Sequence, residues 1–198
     1  MKGQTKNKKD SLIQFISQFG KFTEEEIIAI VENTQLEIFK KGTTILSEGQ
    51  ICTKCFFVIE GCLRQYKIVN GEEKTTAFFC EGEAAVQYSS YLEKRPSKYY
   101  LSTIENSILT TGTRTAEKEL HKKHPKLENL IPTLMPVDYN KSQEHIELLS
   151  HYSPEERYQT ILKTQPHLLN RVPLHLIASY IGVTPESLSR IRKRILNK

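Results

Sequence analysis

The chain has 198 residues, 38% hydrophobic and 26% charged, a composition ordinary for a globular protein with a real core. No apolar run is long enough to span a bilayer, and the polar S-L-I-Q-F-I-S-Q-F after the basic start is too short for a signal peptide, so a cytoplasmic setting is expected. The formal charge of +5 is not spread evenly: residues 151–198 hold eight Lys+Arg against three Asp+Glu, while residues 1–150 carry twenty of each.

Residues 10–33 read as short helices. Leu12, Ile13, Phe15, Ile16 and Phe19 make an apolar set, and Thr23 caps E-E-E-I-I-A-I-V, whose acidic triplet suits the positive end of a helix dipole. From about Leu36 the period changes. Gly42, Gly49, Gly61, Gly71 and Gly82, spaced by 7, 12, 10 and 11, punctuate short β-branched and aromatic runs. Asn70-Gly71 is a hairpin signal. Phe56–Ile59 and Leu63–Val69 are expected as strands joined at Glu60-Gly61, and the β region, a sandwich or barrel-like roll, should end near Gly112.

Cys52, Cys55, Cys62 and Cys80 include a C-x2-C pair, a metal-ligand spacing. The hairpin argues against a cluster. Cys62 at its turn and Cys55 near its far end would lie about 10 Å or more apart at ~3.3 Å per residue. Thiolates on one zinc sit within about 4 Å of each other. Free, buried or half-buried thiols are expected instead, and no metal or cofactor is called for. The histidines, at 121, 124, 145, 151, 167 and 175, all fall outside residues 36–112, so an imidazole-lined metal site inside the roll is excluded. His121 and His124 have metal-ligand spacing but flank Lys122 and Lys123 on a solvated helix end. With no Gly-rich phosphate loop, G-x-S-x-G or H-E-x-x-H, an enzyme is not expected.

Arg114–Leu120 should begin a helical connector, followed by a longer helix over 125–150. Its heptad-like seam of Tyr139, Ser142, Ile146 and Leu149 suits pairing with a second copy. Pro132 and Pro136 predict a kink or a restart at Pro136. Ser153-Pro154-Glu155-Glu156 opens another helix.

The last 25 residues carry the most specific pattern. Leu174, Ile177, Ala178 and Ile181 form one apolar stripe, and Gly182 permits a sharp turn. Thr184 and Pro185 start a second helix with Leu188, Ile191 and Ile195 on its buried side. A tight turn between two packed helices, the second polar on its outer face, is what a helix-turn-helix requires. The basic excess suits phosphate. A helical hairpin contacting an acidic protein partner is the rival, as is a small-ligand module acting through protein–protein contacts.

A glycine-punctuated roll, a long helix and a terminal helix-turn-helix, in that order, resemble the Crp/Fnr family of bacterial transcription regulators from about residue 15 to 198. The resemblance implies an α+β fold: an N-terminal double-stranded, cyclic-nucleotide-binding-like β-roll with flanking helices over 1–112, a connector and dimerisation helix over 113–150, and an all-α, reduced winged helix-turn-helix over 151–198. It implies a homodimer that binds double-stranded DNA, contacts RNA polymerase, stays off membranes and answers to a small-molecule effector or to none. In T-P-E-S-L-S-R-I-R-K-R, base-reading roles fall on Glu186 and Arg190, with Thr184, Ser187, Ser189, Arg192, Lys193 and Arg194 completing the DNA-facing set. Pro185 stands where the family has another base-contacting arginine.

In the family's cyclic-nucleotide binders, which carry a Gly-Glu pair and a later arginine, a helix N-terminus and the arginine fork hold the phosphate while the glutamate holds the ribose hydroxyl. The comparable stretch here, Gly82 to Lys98, has Val86 at the glycine, Gln87 followed by Tyr88 at the glutamate, and Ser97 followed by Lys98 at the arginine. Arg95 and Lys98 flank the place without being in register. Cyclic AMP is therefore not the expected effector.

Overall fold

The computed structural model describes residues 10, 13, 14, 17, 22–32, 35–125 and 130–196. The apolar set at Leu12, Phe15, Ile16 and Phe19 lies outside the described residues. Helix α1 (Glu24–Glu32) opens with a reciprocal cap: Thr23 Oγ1 accepts from Glu26 N at 3.2 Å, and Thr23 N donates to Glu26 Oε2 at 2.8 Å. Its Ile30 packs with Phe57 and Ile59, bordered by Leu36 and Ile108.

Among the described residues eight strands follow: β1 (Gln35–Phe39), β2 (Thr44–Leu46), β3 (Lys54–Glu60), β4 (Leu63–Val69), β5 (Glu72–Phe79), β6 (Ala84–Ala85), β7 (Tyr100–Thr103) and β8 (Ser107–Thr113). They form two four-stranded sheets, ordered β1-β8-β3-β6 and β2-β7-β4-β5. β8 lies antiparallel to both β1 (Gln35↔Thr111) and β3 (Phe56↔Thr111). Four successive residues of β3, Phe56 to Ile59, are buried, so both faces of that strand are covered and no polar alternation is needed. Val58, Leu63, Phe79, Leu101 and Leu109 are among the most deeply buried side chains.

Two glycines are required by geometry. Asn70 and Gly71 have φ of 53° and 81°, the paired positive values of the tight hairpin turn joining β4 to β5. At Gly61 (φ 106°) a Cβ would stand 2.3 Å from Ser107 Oγ and 2.7 Å from its Cα, so a side chain has no room. The strands continue one residue past Gly112 to Thr113. Helix α2 (Tyr88–Glu93) lies between β6 and β7, and α3 (Arg114–Lys123) follows β8.

Helix α4 (Leu130–His151) is one element through Pro136, so of the kink or restart expected there the restart is absent. Pro132 falls in the first turn, where backbone N–H groups have no intrahelical acceptor, and Pro136 forfeits one internal bond. Helices α5 (Pro154–Thr164), α6 (Pro166–Arg171), α7 (Leu174–Tyr180) and α8 (Pro185–Leu196) follow. By contacts it divides into two compact units, Met1–Leu63 with Phe78–Asp138, and Arg64–Ala77 with Tyr139–Lys198. The turn-proximal part of the β4–β5 hairpin thus groups with the C-terminal helices, an association no local pattern announces. No helix of the described residues is long and apolar enough to cross a membrane.

Candidate nucleic-acid interface

The turn between α7 and α8 is built from backbone outward. Val183 N donates to Ala178 O at 2.9 Å and Gly182 N to Ser179 O at 3.2 Å, the paired bonds of a Schellman stop, with Gly182 left-handed at φ 71°. Two residues later the chain re-enters a helix: Thr184 Oγ1 accepts from Ser187 N at 3.2 Å, and Pro185 takes the first helical position. Ile177 and Ala178 of α7 and Ile181 just after it are fully buried, and Leu188 and Ile191 are buried on α8, while Ile195 is half-buried. Leu174, expected in the stripe, is 37% exposed at the start of α7, because it precedes the turn that packs.

Burial of the apolar side leaves the polar side of α8 outward. Thr184, Glu186, Ser189, Arg190, Lys193 and Arg194 are exposed, and Ser187 and Arg192 are half-buried. Glu186 and Arg190, one turn apart, share that face. The Glu186 backbone N–H, the Thr184 hydroxyl and the Arg190 charge hold the Glu186 carboxyl below the usual range, so it is an ionised acceptor near neutrality. Arg190 Nη2 donates to Ser187 Oγ at 3.4 Å, a long bond that leaves the guanidinium available. Ser189 Oγ donates back to Pro185 O at 3.0 Å. Arg194 differs from its neighbours: its Nη2 lies 2.6 Å from Glu155 Oε2 of α5, tying the end of α8 to the helix beside it.

Three side chains that the sequence did not single out position this face. Arg157 of α5 donates to three backbone carbonyls: Nε to Tyr152 O (2.7 Å), Nη2 to Leu149 O (2.7 Å) and Nη1 to Ile181 O (3.0 Å). It thereby joins the end of α4 to the turn after α7. A Cβ at Gly182 would lie 3.3 Å from Arg157 Nη1 and 3.2 Å from Leu149 Cδ2. His145 of α4 is buried, its ring stacked on Tyr180 at 4.4 Å and its Nε2 donating to Tyr180 O at 2.8 Å. Burial pushes the imidazole pKa down, and the bond to the Tyr180 carbonyl opposes this only in part. Ser179 Oγ, on α7, donates to Glu73 O and accepts from Thr75 N, each at 3.0 Å, holding the hairpin tip to the helix-turn-helix. Local pattern could not find these contacts, since partners such as Ser179 and Glu73 are 106 residues apart.

On α4, His145 and Leu148 are buried and Leu149 is half-buried. Ile146, at 56% exposure, and Ser142 face outward, and the Tyr139 side chain lies outside the described residues.

The stretch expected to hold an effector is put together differently. Val86 is buried, Tyr88 half-buried and Lys98 exposed. Gln87 precedes the six-residue α2 without a side-chain cap bond. Ser97 is buried, and its bonds go to protein groups: Oγ donates to Tyr99 O at 2.7 Å and accepts from Tyr99 N at 3.1 Å, while its N donates to Gln50 O at 2.8 Å. Exposed Arg95 pairs with Glu93 at 2.9 Å. A cavity of about 580 Å³ in the same unit is lined from β1, β2, the start of β3 and the loop before it, with Glu37 and Lys54 paired at 2.6 Å, and none of Val86, Gln87, Tyr88, Ser97 and Lys98 lines it. Cys55 is half-buried, Cys52, Cys62 and Cys80 are buried, and all four are thiols outside any disulfide.

Residues 36–124 match the cyclic nucleotide-binding domain family. Over 167 residues the chain is 26% identical to the fumarate and nitrate reduction regulatory protein of Vibrio cholerae, and over 170 residues 26% identical to electron transport regulator A of Shewanella oneidensis. Each match covers 78% of this chain and 66% of the relative, just under two thirds of the relative's length. Among solved structures, FixK2 from Bradyrhizobium japonicum superposes with a TM-score of 0.69 at 16% identity, covering 83% of this chain and 85% of that one. A transcriptional regulator of the Crp/Fnr family from Eubacterium rectale gives 0.67 at 18%, covering 88% and 84%. Those two likenesses concern the fold.

Proposed function

We propose that this chain is a transcription regulator of the Crp/Fnr type, homodimeric, binding double-stranded DNA sequence-specifically and acting in the cytoplasm. Helix α8 enters the major groove. Glu186 accepts from a cytosine N4 amine, and Arg190 donates in pairs to guanine O6 and N7. Thr184, Ser187, Ser189, Arg192 and Lys193 set the register through phosphates. Arg194 joins them only by exchanging Glu155 for a phosphate, so its first role is to position α8. The outward Ser142 and Ile146 of α4 meet the same residues of a second copy, placing two reading helices about one turn of DNA apart. RNA polymerase is the protein partner of the bound dimer.

Cyclic AMP is not the effector in this reading. Ser97 stands where an arginine fork would grip the phosphate, and its hydrogen bonds are already made within the chain. Without that fork a charged hydrogen bond of ~1.5–3 kcal/mol is missing. The effector is a different small molecule, or none.

The observation that carries the reading is the exposed Glu186–Arg190 pair on a helix whose opposite side is sealed by Leu188 and Ile191. Selection of bound duplexes from random DNA tests it. Arg190→Ala should lose ~1–3 kcal/mol of discrimination at one base position, while Lys193→Ala weakens all sequences evenly and lowers the salt slope by about 1. Equal binding of selected and scrambled duplexes by the unaltered protein would refute it.

A further inference from the structure

Cys62 and Cys80 are buried, at 0% and 7% exposure, and their sulfurs lie 3.4 Å apart. Hydrogen bonds from backbone N–H groups hold both positions. Ile104 N donates to Cys62 O at 3.0 Å, and Gly61 N donates to Glu81 Oε1 at 2.8 Å. Cys80 N donates to Glu83 Oε2 at 2.8 Å, and Glu83 N donates back to Cys80 O at 3.1 Å. Two residues 18 apart are thus fixed with thiols in contact, and a disulfide bond of about 2.05 Å needs only a short further approach. Cys52 is placed otherwise, its Sγ donating to Lys54 O at 3.2 Å.

We propose that Cys62 and Cys80 are a redox modification site, converted by hydroperoxides to an intramolecular disulfide and restored by dithiol reductants. Cys80, the less covered, reacts first: its sulfur attacks one peroxide oxygen, the O–O bond breaks, and the thiol proton leaves with the other oxygen. With hydrogen peroxide the products are a sulfenic acid and water. The Cys62 sulfur then attacks the Cys80 sulfur, the S–O bond breaks, and the departing hydroxide takes the Cys62 proton as a second water. Two thiols and one hydrogen peroxide give one disulfide and two waters. A dithiol reverses the change by exchange and is itself oxidised to a disulfide.

The pair lies immediately before β4 and immediately after β5, so the bond would close the base of the hairpin whose Glu73 and Thr75 hold Ser179. The site stands independently of any DNA binding.

The test uses the full reduced chain treated with hydrogen peroxide, then denatured and alkylated with N-ethylmaleimide. Intact mass should show adducts falling from four to two, with one peptide cross-link joining Cys62 to Cys80, and dithiothreitol should restore four. In Cys62→Ser, Cys80 should stop at the sulfenic acid and be trapped by dimedone, while Cys52→Ser should behave like the unaltered chain. Four adducts after peroxide, a cross-link through Cys52 or Cys55, or one between two chains would each overturn the proposal, and none of these readouts on the unaltered chain depends on a variant folding.

Discussion

Two regions of this molecule present groups suited to phosphate, and they are organised in opposite ways. In the 82–98 stretch the buried polar groups are spent within the chain: Ser97 bonds Tyr99 and Gln50, and Ser90 Oγ accepts from Cys52 N at 2.7 Å, while exposed Arg95 pairs with Glu93. Along α8 the charged atoms turn outward, and the bonds beneath them are made by other residues, chiefly Arg157 and the Thr184 cap. A surface whose own donors are satisfied is scaffold. A surface held up from behind keeps its donors for a ligand.

The sharpest way to break the contrast is to remove the support. Arg157→Ala deletes three bonds from a charged donor to backbone carbonyls, each worth about 1.5–3 kcal/mol and not additive. We expect the C-terminal helices to lose about 3 kcal/mol, read as faster amide exchange over 174–196 with β3 and β8 unchanged. Uniform acceleration through both units would show that Arg157 supports the whole chain and not this face.

A smaller effect concerns His145. Its folded pKa lies below the ordinary 6.5, so under mildly acidic conditions the unfolded chain binds a proton that the folded chain refuses. Stability is complete above about pH 6.5 and declines as pH falls from there toward the lowered folded value, at no more than about 1.4 kcal/mol per pH unit. His145→Gln, which keeps a donor for Tyr180 O but does not titrate, should flatten denaturation midpoints across that window. An unchanged slope would assign the acid sensitivity to other groups.

The smallest expected effect is none. Millimolar cyclic AMP should leave the melting temperature where it is, whereas a micromolar site would add about 4 kcal/mol at that concentration. A stabilisation of that size would put the phosphate grip somewhere other than Ser97.

Much of the fold was legible because its signals act over a few residues. The caps at Thr23–Glu26 and Ser153–Glu156, the Asn70–Gly71 turn and the stop at Gly182 each depend on atoms within about five positions, and each formed. The same holds for the candidate site's outline: a helical period with apolar residues at 188 and 191 and charges at 186 and 190 puts the two sets on opposite sides. Of the kink or restart expected at Pro136, the restart is absent for a complementary reason. A proline removes one bond, and the remaining bonds of a helix as long as α4 can carry it.

Local sequence therefore determined where the Thr23 and Ser153 caps, the Asn70–Gly71 turn and the Gly182 stop fall, and which side of α8 is polar. Tertiary structure alone decided that Arg157 would brace Ile181, that Ser179 would grip the Glu73–Thr75 hairpin, that Arg194 would be held by Glu155, and that Cys62 would meet Cys80. Short-range preferences come from dihedral sterics and nearest-turn hydrogen bonds, which repeat with a period that residues reveal. Contacts between distant segments come from how covered faces pack, and no spacing along the chain encodes the partner a side chain will find there.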